Sequence, residues 1–154
     1  MYLTKKLHVY GKARGSEKVH LGYLMNTVKD ENDDKGPLVD LSKVSEISLE
    51  AAYWRKSNQI HKWFVDNVQD GEDNCEEYYV DREQLQELVD LCKQVLADHS
   101  KAEELLPGQE GFFFGGTEYD EWYFQDIEHT VEMLEELLSN PENDDYEFYY
   151  QSSW

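Results

Sequence analysis

Hydrophobic and polar positions change period several times along this chain, and each change marks an element. Leu3, Leu7 and Val9 share one parity within Met1–Tyr10. Val19-His-Leu-Gly-Tyr-Leu-Met alternates again after the Gly11–Gly15 turn region. A period of two predicts two strands that pair as a hairpin. Asp30-Glu-Asn-Asp-Asp-Lys-Gly-Pro37 reads as a polar loop, and Leu38–Ile47 fits a short strand. A helix is expected from Leu49 to Val68 with Ser48 as its N-cap, because Leu49, Tyr53, Ile60, Phe64 and Asn67 fall on one face at about 100° per residue.

Tyr78-Tyr-Val is a strand candidate. Asp81, with Gln84 three residues on, opens a second helix in the manner of a capping box. Its apolar stripe is Leu85, Leu88, Val89, Cys92, Val95 and Leu96. Pro107-Gly108 breaks the chain before Phe112-Phe-Phe-Gly-Gly116, which suggests a buried strand ending in a turn. Thr117, with Asp120 three residues later, is expected to cap a third helix with Ile127, Val131, Leu134 and Leu138 as its stripe and Asn140-Pro141 as its end. The tail from Tyr146 alternates as a closing strand. The fold expected is one α+β domain over residues 1–154, three main helices packed on a small, mostly antiparallel sheet.

Composition agrees with a folded chain, since 14% of residues are aromatic. Cys75 and Cys92 form no C-x-x-C pair, no signal-like or membrane-spanning run is visible, and a cytoplasmic location in a reducing compartment is expected. Charge changes the picture more. The net formal charge is -20, and it is unevenly spread. Residues 1–30 hold six Lys/Arg against two Asp/Glu, whereas residues 102–154 hold fifteen Asp/Glu and no Lys or Arg. Such a surface repels nucleic acid and anionic membrane and attracts basic partners.

No catalytic residue, cofactor or metal site is assigned. Nucleophile-elbow, zinc-protease and phosphate-loop motifs are missing, and the histidines show no ligand spacing. The acidic stretch from Asp70 fails as a calcium loop, because Cys75 and Asp81 stand where glycine and glutamate are required.

Three constellations stand out. On the first helix, Glu50, Trp54, Asn58 and His61 form a second stripe flanked by Arg55 and Lys62, suited to a flat polar ligand or a protein partner. Lys56 and Asp120 fall on core faces, so a buried charge pair is expected, Asp120 having helix capping as its alternative role. On the third helix, Glu118, Glu121, Glu128, Glu132, Glu135 and Glu136 project opposite the apolar stripe. Rows of carboxylates about 5–10 Å apart can present a DNA-like potential to a basic groove.

The run Tyr53-Trp-Arg-Lys-Ser-Asn-Gln-Ile-His-Lys-Trp-Phe-Val65 resembles a segment of a widespread family of small phage and prophage proteins. Asp81-Arg-Glu-Gln-Leu and Phe112-Phe-Phe-Gly-Gly-Thr-Glu-Tyr-Asp-Glu-Trp-Tyr123 resemble two further blocks in the same order. The likeness spans Glu46 to Leu138. The long first and third blocks are specific and the middle one generic. Members of that family often begin with a longer Met-Gly-Leu-Asp-Met-Tyr-Leu run, whereas this chain begins at Met-Tyr-Leu and its first 45 residues give no clear match.

The phage context implies an accessory protein acting inside a host cell. The leading expectation is non-enzymatic counter-defence. The acidic face, with Asp144, Asp145 and Glu147 added, would mimic DNA. It would block the nucleic-acid-binding groove of a host complex of the CRISPR or restriction type, without binding nucleic acid or membrane directly. Tyr146, Phe148, Tyr149, Tyr150 and Trp154 would supply contact area. The alternative is a small-molecule binding protein that sequesters a nucleotide defence signal. Trp54, Arg55, Asn58, His61, Tyr119, Asp120 and Tyr123 would line its pocket, with Arg55 or Lys56 turned toward phosphate. A virion or replication accessory role is the third.

Overall fold

In a computed structural model of the chain, residues 1–8, 44–109 and 117–153 are described. The expected strand at 19–25, its hairpin, the loop at 30–37 and the aromatic run at 112–114 lie outside them. The chain forms two compact units, one of residues 1–6 with 49–154 and one of residues 7–48. Of the second, the described contact is between His8 Nδ1 and Glu46 Oε2 at 3.6 Å. The site lies in the first unit.

The elements in chain order are β1 (Tyr2–His8), β2 (Glu46–Tyr53), α1 (Asn58–Asn67), β3 (Tyr78–Val80), α2 (Arg82–Ala97), the short α3 (Ala102–Leu105), α4 (Glu121–Ser139) and β4 (Glu147–Gln151). The four strands form one sheet in the order β2-β1-β4-β3. β4 runs antiparallel to both neighbours, with Leu3 opposite Tyr150 and Val80 opposite Phe148. Met1 and Trp54 exchange both of their backbone hydrogen bonds, at 3.0 and 3.2 Å. The architecture is α+β with a small antiparallel sheet, as the residue pattern predicts.

One element differs in kind. The chain over 49–53 is the second half of a strand, and the helix begins only at Asn58. Ile47, Leu49 and Ala51 alternate with exposed Glu46, Ser48 and Glu50, a period of two that pairing with β1 stabilises. Helix propensity loses to this tertiary context. Arg55 and Lys56 therefore occupy a turn, Lys56 with a φ of 65°, rather than a helix face.

The same shift removes the expected buried pair. Lys56 and Asp120 are both exposed, and among the described residues no ion pair joins them. Asp120 instead caps α4, its Oδ1 accepting from the Tyr123 N–H at 3.1 Å. The residue pattern favours Thr117 for this cap, with Asp120 as the alternative, and the structure takes the alternative. α2 opens with the expected reciprocal cap, the Asp81 and Gln84 side chains each bonding the other's backbone N–H at 2.7 and 3.0 Å.

The core gathers the inward face of the sheet (Leu3, Ala52, Val80, Phe148, Tyr150) with Ile60 and Phe64 of α1, the apolar stripe of α2, and Tyr123, Ile127, Leu134 and Leu137 of α4. Phe64 stacks on Tyr150 with ring centroids 3.9 Å apart. Trp54 follows the last β2 residue into this core, where its Nε1–H donates to Thr130 Oγ1 at 2.9 Å. Cys92 lies fully buried on the α2 stripe, and its thiol is pushed up to about 12 by desolvation, which makes it inert.

Candidate binding site

The turn before α1 and the first turns of α4 flank a half-open cleft of about 270 Å³. Arg55 and Lys56 come from the turn, Asn58 and Gln59 from the start of α1, and Glu118, Asp120, Trp122, Tyr123 and Asp126 from the start of α4. Local structure explains the grouping. Trp122 and Asp126 are four residues apart and share a helix face. Asn58 Oδ1 accepts from the Gln109 backbone N–H at 3.1 Å, tying the 107–109 segment to α1. Gly108 lies so close to this amide that an added Cβ would sit 3.1 Å from Asn58 Oδ1. The Tyr123 hydroxyl donates to the Leu106 carbonyl at 2.8 Å, and burial raises its pKa.

Four cations of the unit sit on acids: Lys6 on Glu77, Lys62 on Asp66, Arg82 on Asp144 and Lys93 on Glu135. Lys5 instead donates to Asn143 Oδ1 at 2.7 Å. Arg55 and Lys56 are exposed, and among the described residues neither has an acidic partner within bridging distance. The N-termini of both α1 and α4 adjoin the cavity, and no side-chain hydrogen bond caps α1. Arg55, Lys56 and the uncapped α1 N-terminus favour an anion at their end of the cleft, whereas Glu118, Asp120 and Asp126 put three carboxylates on the other side, Asp120 already capping α4.

Two polar groups on the wall are held at a cost. Gln59 is 3% exposed, and its Nε2 is closed off from solvent with no partner at full hydrogen-bond geometry. Asp126, beside it, has its carboxyl raised above the ordinary range by desolvation, against opposing help from the Ser57 and Gln59 side chains. Trp122 is 75% exposed, the opposite of what burial of apolar area favours.

A carboxyl whose folded pKa is raised holds its proton more tightly in the folded state. Its stabilising share is complete below the ordinary 3.8 and is lost as pH rises through the raised value. Replacing Asp126 with Asn, which mimics the protonated form, is therefore expected to raise the melting temperature at neutral pH. That gain should shrink toward zero in acid, and thermal denaturation at several pH values checks it.

Of the residues that the sequence suggested for a pocket, Arg55, Asn58, Asp120 and Tyr123 come together here. Tyr119 stands just outside, 38% exposed, its ring 5.0 Å from that of Tyr123. Trp54 and His61 do not line it, because both are buried in the core. His61 Nδ1 lies 2.7 Å from the Tyr150 hydroxyl and Nε2 lies 3.2 Å from Asp73 Oδ2. A carboxylate accepts from Nε2–H, so the neutral ring accepts from Tyr150. Burial lowers the His61 pKa, against the pull of Asp73. Stability from this network is complete above the ordinary 6.5 and is lost as pH falls from there through the lowered value. The melting temperature should fall between about pH 7 and pH 5, and His61→Gln should flatten that slope.

Sequence reasoning missed Gln59, Trp122, Asp126 and Glu118 as wall residues. A helix begun at Asn58 would have put Gln59 in its first turn; Trp122 and Asp126 share a face under either start of α4, and only the structure shows that this face borders the cleft.

The proposed acidic face divides. Glu118, Glu121, Glu128, Glu132, Glu135, Glu136, Asp144, Asp145 and Glu147 are all exposed. However, Glu135 bridges Lys93 of α2 at 2.5 Å, Asp144 lies 3.5 Å from Arg82, and Glu147 accepts from the Tyr149 hydroxyl at 2.8 Å. The row thus draws cations from α2 that its own helix lacks. The tail aromatics correct the expectation of a contact surface. Phe148 and Tyr150 are buried because they lie on the face of β4 that packs into the core, Tyr146 just before the strand is buried too, and Tyr149 on the opposite face is half-buried. Trp154 lies outside the described residues.

No family model, curated protein or solved structure matches the chain. Among the described residues no cluster of His, Cys, Asp and Glu could hold a metal ion, and no helix is long and apolar enough to cross a membrane.

Proposed function

We propose that this protein acts by binding, and that the cavity between the starts of α1 and α4 takes a small, flat, anionic ligand of the nucleotide class. The observation that carries this reading is the placement of Arg55 and Lys56. In a chain of net charge -20, two neighbouring cations stand without an acidic partner among the described residues, beside an exposed Trp122. Phosphate suits the cations and a heteroaromatic ring suits the indole. The volume, about 270 Å³, is close to the ~300 Å³ at which small-molecule pockets begin, so one mononucleotide unit fills it. In the setting that the phage-protein resemblance implies, such binding would sequester a nucleotide signal of the host. The test is a thermal shift with millimolar mononucleotides, which ligand binding to the folded state must raise. A rise that Lys56→Glu abolishes supports the reading, and no rise with any nucleotide contradicts it.

A second reading keeps the acidic exterior as the working surface. It is favoured by the exposure of all nine proposed carboxylates and of Glu83, Glu87 and Asp90 on the adjoining α2. A basic nucleic-acid-binding complex of the host would be the partner, captured at low salt, released at high salt and competed by DNA. Capture that is indifferent to salt would contradict it.

A further inference from the structure

We infer that the nucleotide taken by this cleft carries a positive charge on its base, as an N-glycosylated pyridinium or an N-methylated purine does. The inference rests on the nucleotide reading above and names the ligand class within it.

The cleft is bipolar. Arg55 and Lys56 stand on the turn before α1, whereas Glu118, Asp120 and Asp126 stand on the chain entering α4 and on its first turns. The phosphate of any nucleotide belongs with the cations, since guanidinium and ammonium groups bond phosphate oxygens with charge assistance. The remainder of the ligand then lies toward the three carboxylates. Among the described residues no Lys or Arg forms an ion pair with any of them. Asp126 is half-buried, and burial first, with the neighbouring Asp120 charge adding to it, holds its carboxyl above the ordinary range. A cationic ring beside these groups offsets both causes, because it supplies opposite charge where water is partly excluded.

Trp122 makes the same demand independently. Its indole lines the acidic side of the cleft, one helical turn from Asp126, and is 75% exposed. The face of an aromatic ring is the negative pole of its quadrupole, and tryptophan holds cations better than tyrosine or phenylalanine does. A neutral base also stacks on an indole. Only a cationic base is attracted both by the indole face and by the carboxylates around it.

Simpler ligands leave one end unmatched. Inorganic phosphate engages Arg55 and Lys56 and nothing on α4. A polyamine or a quaternary ammonium engages the α4 side and leaves the two cations facing solvent. A neutral mononucleotide fills the volume, about 270 Å³, but sets an uncharged ring against three carboxylates. A mononucleotide with a cationic base matches both ends within that volume.

The experiment is isothermal titration of the full chain at neutral pH and physiological salt, with two pairs of ligands that differ chiefly in the charge of the base. Oxidised nicotinamide mononucleotide is paired with its reduced, uncharged form, and N7-methyl-GMP with GMP. Inorganic phosphate is the control for the phosphate end. The cationic member of a pair is expected to bind about tenfold more tightly than its neutral partner. Preference in the pyridinium pair alone assigns the base to that source, in the purine pair alone to a methylated purine, and in both to the charge itself; each supports the inference. A protein of net charge -20 favours any less anionic ligand through its general field, so two double variants separate the site from the field. Glu118→Gln combined with Asp120→Asn, which keeps a side-chain oxygen for the α4 cap, should bring the cationic ligand down to its neutral partner. Glu83→Gln combined with Glu87→Gln removes the same charge from exposed positions at the start of α2, where Arg82 bonds the Leu138 carbonyl at the far end of α4. That variant should keep the preference. Circular dichroism confirms that each variant is folded. Equal affinities within both pairs, a tighter neutral member, or a preference that the distant variant removes as fully as the cleft variant would overturn the cationic-base inference and leave the nucleotide reading standing. Binding of inorganic phosphate alone, or of nothing, would overturn both.

Discussion

Replacing Arg55 and Lys56 together with alanine should abolish measurable nucleotide binding while leaving the melting temperature of the free protein close to that of the wild type. Both side chains are exposed, and among the described residues neither makes an ion pair, so the fold loses little. The ligand would lose two charge-assisted contacts at about 1.5–3 kcal/mol each. Together these amount to roughly a hundredfold or more in affinity. Titration calorimetry on wild type and double variant checks the expectation. A double variant that binds as tightly as wild type would place the phosphate elsewhere. A reversal to glutamate at Lys56 alone should weaken binding further than Lys56→Ala, since it adds repulsion to the lost attraction.

Truncating Phe64 to alanine should give the largest loss of stability. The ring is fully buried, stacks on Tyr150 at 3.9 Å, and touches the rings of Trp54 and Trp63 with centroids 5.7 and 5.2 Å away. It joins α1 to the sheet and to the indole that bonds Thr130 of α4. Burial and cavity costs for such a side chain run to about 3–5 kcal/mol. For a chain of this size that lowers the melting temperature by roughly 10 °C or more. Calorimetry or urea denaturation measures it. Trp122→Ala is the contrasting variant, since the indole is 75% exposed and should contribute little to stability while weakening ligand binding.

These two expectations separate what the residue pattern made legible from what it did not. The α2 stripe was readable because Leu85 to Val95 repeats at helical spacing behind an unambiguous cap, and the structure buries those residues. The β4 strand was readable from the alternation around Phe148 and Tyr150. Its place inside the sheet was not, because strand order depends on contacts more than a hundred residues apart. Nor was its inward face, so aromatics taken for contact surface turned out to be core.

The Leu49–Val68 segment shows a second limit. Leu49, Tyr53, Ile60 and Phe64 fit a helical face, yet Ile47, Leu49 and Ala51 also alternate, and only the presence of β1 decides between the two periods. That single boundary moved Trp54 and His61 into the core and Lys56 onto the cavity. Asp120 and Tyr123 survived because both sit at the start of α4 under either reading, whereas Arg55 and Asn58 reach the cleft from the turn and the helix start that replace the expected mid-helix. Asp126 and Gln59 had no signal of their own: an acid among many acids and an amide beside a better-known one gain meaning only when burial is known.

The cavity assignment is tested most directly by titrating isotopically labelled protein with nicotinamide mononucleotide and following the side-chain N–H resonances. Binding there should move the Trp122 indole and the Arg55 guanidinium. The Trp54 indole, buried and bonded to Thr130, should hold its position. Saturating nucleotide that leaves Trp122 and Arg55 unchanged, or that moves only residues of α4 beyond Glu128, would contradict the assignment.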